Sequence, residues 1–410
     1  MTGSYESLCS ERRGAEGPLV PHVAVFAEQL RLQGYSKRSI GEANGLVADF
    51  SEWLKQRKIA KEEISLKRTE LYLRYRALHR RPRKSDVATM RRLLKLLRDE
   101  GVIKRPPTRI EPTPMQRLLD EYAFYLRQER ALAPATVVNY LPIVRGFLMQ
   151  RFGKGHPQLS VIRAADVVRY VQHQVARLSP HTAKYVTKAL RSFLQYARYR
   201  GDITLDLAAA VPTVANWSMA AIPRAIAPEH VRAVLAHCNR ASAVGCRDYA
   251  ILLLLARLGL RAGEIAFLEL DDIDWEAATL NVRGKGGHVS RLPLPLEVGE
   301  AIAAYLRTGR PVSSSRRVFL RAVAPIRGFA RQVTVLSVVR QAMARAGIDP
   351  PRKGAHQFRH ALACEMLRQG ASLPEIGQIL GHRSPQTTAI YAKVDLASLH
   401  TLALRWPGGV

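Results

Sequence analysis

Apolar residues recur at three- and four-residue intervals along most of this 410-residue chain, the spacing that gathers them on one face of an α-helix. From Pro21 to about Ile103, Leu46, Val47, Phe50 and Leu54 share one such face, as do Met90, Leu93, Leu94 and Leu97. The proline-rich stretch Lys104–Pro114 (KRPPTRIEPTP) predicts an extended linker, because each proline removes a donor and biases its predecessor away from helix. Helical patterning resumes at Met115 and runs to about Arg200; a second linker is expected over Leu207–Pro228. Beyond it the pattern is mixed. Glu229–Cys238 and Asp248–Leu258 read as helices, and Leu270–Trp275 leads into a strand over Ala278–Arg283. Gly284-Lys285-Gly286-Gly287 makes a turn, Ser290–Leu294 returns as a second strand, and helices are expected from there to Leu404. The expected fold class is mainly α with a small β-sheet near the C-terminal end. Residues 1–21 read as a loose tail, 22–105 as an N-terminal helical domain, 115–205 as a second helical domain and 227–405 as a mixed α+β domain.

An internal repeat links the two helical domains. GYSKRSIGEANGLVADFSEWL (34–54) lines up with ALAPATVVNYLPIVRGFLM (131–149), which sets Phe50 on Phe147 and Val47 on Val144. MRRLLKLLRDEGVI (90–103) lines up with LRSFLQYARYRGDI (190–203), which sets Leu94 on Leu194 and Gly101 on Gly201. Each half opens a helix on a small or hydroxyl residue and closes a basic helix on glycine.

Composition narrows the partners. The net charge is +29, and the basic excess is spread: +11 over 1–110, +7 over 111–210 and +11 over 211–410. A positive excess in every part suits a chain whose domains all face nucleic-acid phosphates. No apolar run approaches the ~20 residues of a membrane span; Ile251–Ala256 is cut off by Arg257. The first residues form no signal peptide, so a cytoplasmic protein is expected, with no membrane partner. Cys9, Cys238, Cys246 and Cys364 form neither a metal-type pairing nor a disulfide framework, in keeping with a reducing compartment.

The candidate chemistry lies in four stretches: LGLRAGEIAFLELDDIDW (258–275), VRGKGGHVSRLPLP (282–295), HQFRHALACEMLRQG (356–370) and LGHRSPQTTAIYAKV (380–394). Tyr391 is the candidate nucleophile; a phenol with its pKa near ~10 attacks poorly unless its proton is accepted or cations stabilise the phenolate. Attack on a phosphodiester builds charge on two non-bridging oxygens. Arg261 and Arg359 suit that charge because a guanidinium grips phosphate through paired N–H donors, and His382 supplies a third donor. Lys285, at the tip of a glycine-bounded turn, can protonate a departing 5′ oxygen. His356 and His360 are spaced i, i+4, yet Gln357 stands where a zinc-protease helix carries glutamate and no third ligand follows. No metal and no cofactor are therefore expected. His356 is read as the acid/base for the tyrosine proton, and His360 as orienting or packing behind the site. Glu264 pairs with Arg261 or His356, or forms a plain helix salt bridge. Arg283 and His288 read as phosphate contacts or solvated residues, and Arg383 and Lys393 as exposed cations that touch at most the DNA backbone.

These four stretches resemble the tyrosine recombinases, the phage-integrase and Xer-like family, with all six active-site positions filled: Arg261, Lys285, His356, Arg359, His382 and Tyr391. The resemblance implies a tyrosine-recombinase catalytic domain preceded by a SAM-like core-binding domain at 115–205; through the internal repeat, 22–105 reads as a further domain of that kind, beyond the minimal family architecture. It implies a site-specific recombinase or integrase that cleaves and rejoins double-stranded DNA through a 3′-phosphotyrosine, with neither metal nor ATP. A homo-tetramer acting on two sites follows, joined in some settings by related recombinases, and the N-terminal architecture suggests a mobile element. The alternatives are a type IB topoisomerase, which nicks and reseals one duplex, and a non-catalytic helix-turn-helix regulator, since 373–394 alone fits that motif. The regulator leaves Arg261, Lys285 and the HQFR block without a role.

Overall fold

The computed structural model describes residues 16–104, 112–214, 225–284, 287, 289–350, 353–382 and 384–394. Its first half repeats one element order twice. Helices α1 (Val20–Leu32) and α2 (Lys37–Gln56), a single 3₁₀ turn (Lys61–Glu63), α3 (Leu66–His79) and α4 (Asp86–Asp99) come first. They are followed by α5 (Pro114–Gln128), α6 (Pro134–Phe152), a 3₁₀ turn (Leu159–Val161), α7 (Ala164–Val175) and α8 (Pro180–Tyr199). The aligned pairs Val47/Val144, Phe50/Phe147 and Leu94/Leu194 are buried in their respective cores. Gly101 and Gly201 both take positive φ just past the last helix. Helix starts follow local chemistry: the Ser36, Ser65, Thr113 and Ser179 hydroxyls each accept a backbone N–H three residues on, satisfying donors the first turn leaves free.

By packing, the chain divides into two compact units: 107–221, and 1–106 together with 222–410. Within the second, Ile326 N–H donates to the Gln33 carbonyl at 2.9 Å, so the first helical segment rests on the C-terminal part.

The boundaries differ from the sequence pattern in four places. Leu19, expected in the tail, is fully buried and its N–H donates to Ser51 Oγ at 3.0 Å. Leu207, Ala208 and Val211, expected in a linker, close the core of the 107–221 unit; they are spaced as a turn that drops apolar side chains onto α8. The helix expected from Asp248 opens earlier, at Ala243, because Ser242 Oγ accepts the Gly245 N–H at 3.0 Å. Residues 310–332 contain no α-helix: two isolated bridges, Glu269–Arg317 and Leu320–Gly328, tie this irregular segment down. The expected helix beyond 394, residues 105–111 of the first linker and residues 215–224 of the second lie outside the described residues.

The C-terminal part is built on α10 (Ala243–Arg257), buried along nearly all its length. Around it pack α9 (Pro228–Ala236), the short α11 (Ala262–Ala266), α12 (Leu296–Ala304) and α13 (Val333–Arg345). A three-stranded antiparallel sheet, β1 (Ile273–Asp274), β2 (Thr279–Arg283) and β3 (Val289–Pro293), runs in sequence order with Leu280 opposite Leu292 and Arg283 opposite Val289. Then come α14 (His356–Arg368), α15 (Leu373–Ile379), α16 (Pro385–Thr388) and a 3₁₀ turn (Ala389–Val394). The fold is thus mainly α with one small sheet. Among the described residues no helix is long and apolar enough to cross a membrane.

Candidate active site

The segments that form the site are held together by their own polar groups. Arg261 precedes α11, and Glu264 on the first turn of that helix takes both the Arg261 backbone N–H and its Nη1, each at 2.7 Å. Of the pairings open to Glu264, the one formed is with Arg261. Arg359, on the first turn of α14, is only 4% exposed. Its Nη1 donates to the Gly259 carbonyl at 2.7 Å and its Nη2 to the Leu380 carbonyl. Arg261 Nη2 donates to the next carbonyl, Gly381, at 3.3 Å. Two guanidiniums therefore grip consecutive peptide groups immediately before His382.

That grip fixes the approach of the last segment. Gly381 turns the chain with φ +60, and the His382 N–H donates to the Gly377 carbonyl at 2.8 Å. His382 Nδ1 lies 2.7 Å from Thr388 Oγ1, and its ring lies nearly parallel to that of Tyr391 with centroids 6.5 Å apart. The Tyr391 hydroxyl is 2.9 Å from His360 Nδ1, the two rings meeting edge-on. Tyr391 itself is 1% exposed and packs with Ala363, Cys364, Ile376 and Leu380. His356 stands one helical turn before His360, with ring centroids 6.3 Å apart. The partner of the phenol is thus the histidine expected to stand behind the site; the one read as its acid/base sits beside the arginines.

Electrostatics follow from burial beside two cations. Burial pushes the Tyr391 phenol up to about 12, against the opposing pull of Arg359. Burial, then the charges of Arg359 and Arg261, push His382 down to about 4. His356 and His360 are likewise held below the ordinary imidazole range, by burial first, so all three rings are neutral at pH 7. Even Arg359 is pushed down to about 10, by burial and by Arg261, and still stays charged. The cluster combines two fixed cations, three neutral imidazoles that can pass or donate a proton, and one phenol.

Of the sequence candidates, Arg261, Glu264, His356, Arg359, His360, His382 and Tyr391 meet here. Lys285, His288 and Arg383 lie outside the described residues, as does the side chain of Lys393. The strands that would flank Lys285 end at Arg283 and resume at Val289. Arg283 is more than half exposed and pairs with Asp272 at 2.8 Å and Glu269 at 3.4 Å. Thr388 is not among the sequence candidates; its only signal there is a hydroxyl three residues before Tyr391.

A helical domain, a mixed domain built on one buried helix, and a cluster of arginine, histidine and tyrosine at the end of the second domain define the class of integrase-type DNA recombinases. The chain belongs to the phage integrase family of tyrosine recombinases, whose members are DNA strand-transferring enzymes. Residues 224–397 match the phage integrase family model and 119–201 the phage integrase N-terminal SAM-like domain; neither reaches the first 118 residues. An integrase/recombinase of Sinorhizobium fredii, y4rA, is 52% identical over 97% of this chain and 96% of its own length. Tyrosine recombinase XerD of Xanthomonas campestris pv. campestris is 31% identical over 73% of this chain and 94% of its own. Among solved structures, XerH bound to a palindromic difH substrate superposes with a TM-score of 0.55 at 18% identity, covering 73% of this chain and 99% of that one. A lambda integrase dimer bound to a core site gives 0.51 at 18% identity, covering 67% and 94%. These two likenesses establish the fold.

Proposed function

We propose that this protein is a site-specific DNA recombinase that breaks and rejoins strands through a 3′-phosphotyrosine on Tyr391. The observation that carries the reading is the contact set around the phenol. A neutral imidazole, His360, sits at hydrogen-bond distance from the attacking oxygen, and two arginines hold the turn that delivers His382. In the proposed step a Tyr391 Oη–P bond forms and the P–O5′ bond breaks. The phenol proton passes to His360, and the leaving 5′ oxygen takes a proton from Lys285. Arg261, Arg359 and His382 stabilise the charge that develops on the non-bridging oxygens. His356, whose ring feels both arginine charges, is kept in this scheme as a second acid/base group. Rejoining reverses the sequence, with a 5′ hydroxyl of the partner duplex attacking the phosphotyrosine. The covalent link conserves the bond energy, so the scheme needs no ATP, and the charges that metals supply in two-metal nucleases come from the guanidiniums.

Exchange between two duplexes requires four protomers, and we read the protein as a tetramer on double-stranded DNA. Names such as integrase and recombinase among the relatives, together with the additional N-terminal helical segment at 16–104, favour a mobile-element role over housekeeping resolution. The test is covalent trapping on a nicked suicide substrate in the presence of EDTA. Wild-type protein should form a protein–DNA adduct, and Tyr391→Phe should bind the same DNA and form none. An adduct with Tyr391→Phe, or a strict need for Mg²⁺, would overturn the proposal. Relaxation of supercoiled plasmid with no joining between two duplexes would favour the topoisomerase reading instead.

A further inference from the structure

A neutral His382 can donate through Nε2 in only one of its two tautomers. Its pKa is pushed down to about 4, so at neutral pH the ring carries a single N–H and the tautomer decides which nitrogen donates. Nδ1 is already engaged, 2.7 Å from Thr388 Oγ1. Thr388 is 3% exposed, at the last position of α16, three residues before the nucleophile. The space for its hydroxyl exists because residue 377 has no side chain: a Cβ there would lie 2.9 Å from Thr388 Oγ1. Gly377 also accepts the His382 N–H through its carbonyl at 2.8 Å. Backbone and ring of His382 are thus held from the same two residues, one on α15 and one on α16.

We propose that Thr388 is a positioning residue whose hydroxyl donates to His382 Nδ1, fixing the Nε2–H tautomer and aiming that donor at the scissile phosphate. This rests on the reading of Tyr391 as nucleophile and of His382 as a phosphate donor. Thr388 touches no reacting atom, so its effect appears in the cleavage step and not in DNA affinity. Partners that orient a functional histidine through its second nitrogen typically cost 10–100-fold when removed, as metal-bound histidines illustrate. Thr388→Val keeps the shape and deletes the donor.

The experiment measures adduct formation on the suicide substrate at saturating DNA, DNA affinity, and the ¹⁵N shifts of His382 in the full-length wild-type protein. Three results are expected: an Nε2–H tautomer in the wild type, an adduct rate reduced on the order of 10–100-fold in Thr388→Val with affinity unchanged, and a rate restored to within a few-fold in Thr388→Ser. Gly377→Ala, which crowds the hydroxyl without removing it, should slow cleavage in the same way. An Nδ1–H tautomer in the wild type, or a Thr388→Val protein that cleaves at the wild-type rate, overturns the proposal. The wild-type shifts test the tautomer even if a variant fails to fold. If wild-type protein forms no adduct at all, the nucleophile reading fails, and the tautomer result stands apart from it.

Discussion

Arg261 and Arg359 have the same role in the proposed chemistry but different roles in the fold, and replacing each with alanine separates the two. Arg359 is buried and bridges the Gly259 and Leu380 carbonyls, so it joins the end of α10, α14 and the turn before His382. Arg359→Ala removes two charge-assisted hydrogen bonds of roughly 1.5–3 kcal/mol each. Relief of a desolvated cation offsets part of that loss, leaving a net destabilisation of about 2–4 kcal/mol. For a cooperative unit of this size each kcal/mol lowers Tm by about 2–4 °C, which makes a fall of roughly 5–15 °C. Arg261 is a third exposed on its side chain and bonds one carbonyl at 3.3 Å. Its partner Glu264 is nearly buried but keeps the Arg261 backbone N–H in the alanine variant, so Arg261→Ala should cost only about 1–2 kcal/mol. Both variants should lose adduct formation by ~10²-fold or more, as expected when a preorganised donor to a developing anion is removed. The assay is thermal unfolding of both proteins, paired with single-turnover trapping at a temperature where both remain folded. Equal Tm values, or a larger fall for Arg261→Ala, would refute the argument that Arg359 is also a structural tie.

Two further outcomes follow. Because His356, His360 and His382 are held below the ordinary value of 6.5, the unfolded chain takes up protons before the folded one does as pH falls. Stability should be flat above about pH 7 and drop between about 6.5 and 4, by at most ~1.4 kcal/mol per pH unit for each histidine that stays neutral. Unfolding midpoints against pH should flatten in His382→Asn; an unchanged profile would contradict the shift. On the N-terminal segment, Arg91 and Lys95 are exposed on the outer face of α4, opposite buried Met90, Leu93, Leu94 and Leu97. If that face meets DNA, Arg91→Gln with Lys95→Gln should flatten the log–log salt dependence of binding by ~0.9 for each phosphate interaction removed and spare trapping at Tyr391; an unchanged slope points to a protein-binding face instead.

The residue types of the site were legible in sequence because each sits in a local pattern with its own reason. Arg261 with Glu264 opens a short helix, HQFRH opens another, and Gly381-His382 follows a capped turn of helix. What spacing could not show was which histidine meets the phenol. His356 and His360 lie one turn apart on the same face, and Tyr391 arrives from a segment 31 residues further on, so only packing of Tyr391 against Ala363, Cys364 and Ile376 chooses between them. Thr388 was illegible for a similar reason: its role depends on Gly377 leaving room across the gap between two helices. Helix existence was easier to read than helix ends. Leu207, Ala208 and Val211 sit among alanines and prolines that carry no period, yet they are the last layer over α8. Residues 310–332 contain enough apolar side chains to suggest helix, but the segment is irregular and is tied by two isolated bridges, at Arg317 and between Leu320 and Gly328.

The burial of Tyr391 bears on when the reaction can begin. Burial pushes the phenol up to about 12 and holds its acceptor His360 below the ordinary imidazole range, so both shifts oppose transfer of the proton. Moving the proton in this resting arrangement is therefore uphill before any bond to phosphorus forms. The cause of the low imidazole pKa indicates what lowers that cost. Apart from burial, His382 is suppressed by Arg359 and Arg261, and His360 by His356 and Arg359. A phosphate seated between the guanidiniums cancels part of their charge, and an anion nearby favours imidazolium over imidazole. In the proposed reaction, then, the DNA phosphate is both the electrophile and the group that makes His360 a competent base. Arg359 acts in both directions here: it draws the phenol pKa down and holds the His360 imidazole below its ordinary range, and a bound phosphate shifts that balance toward proton transfer.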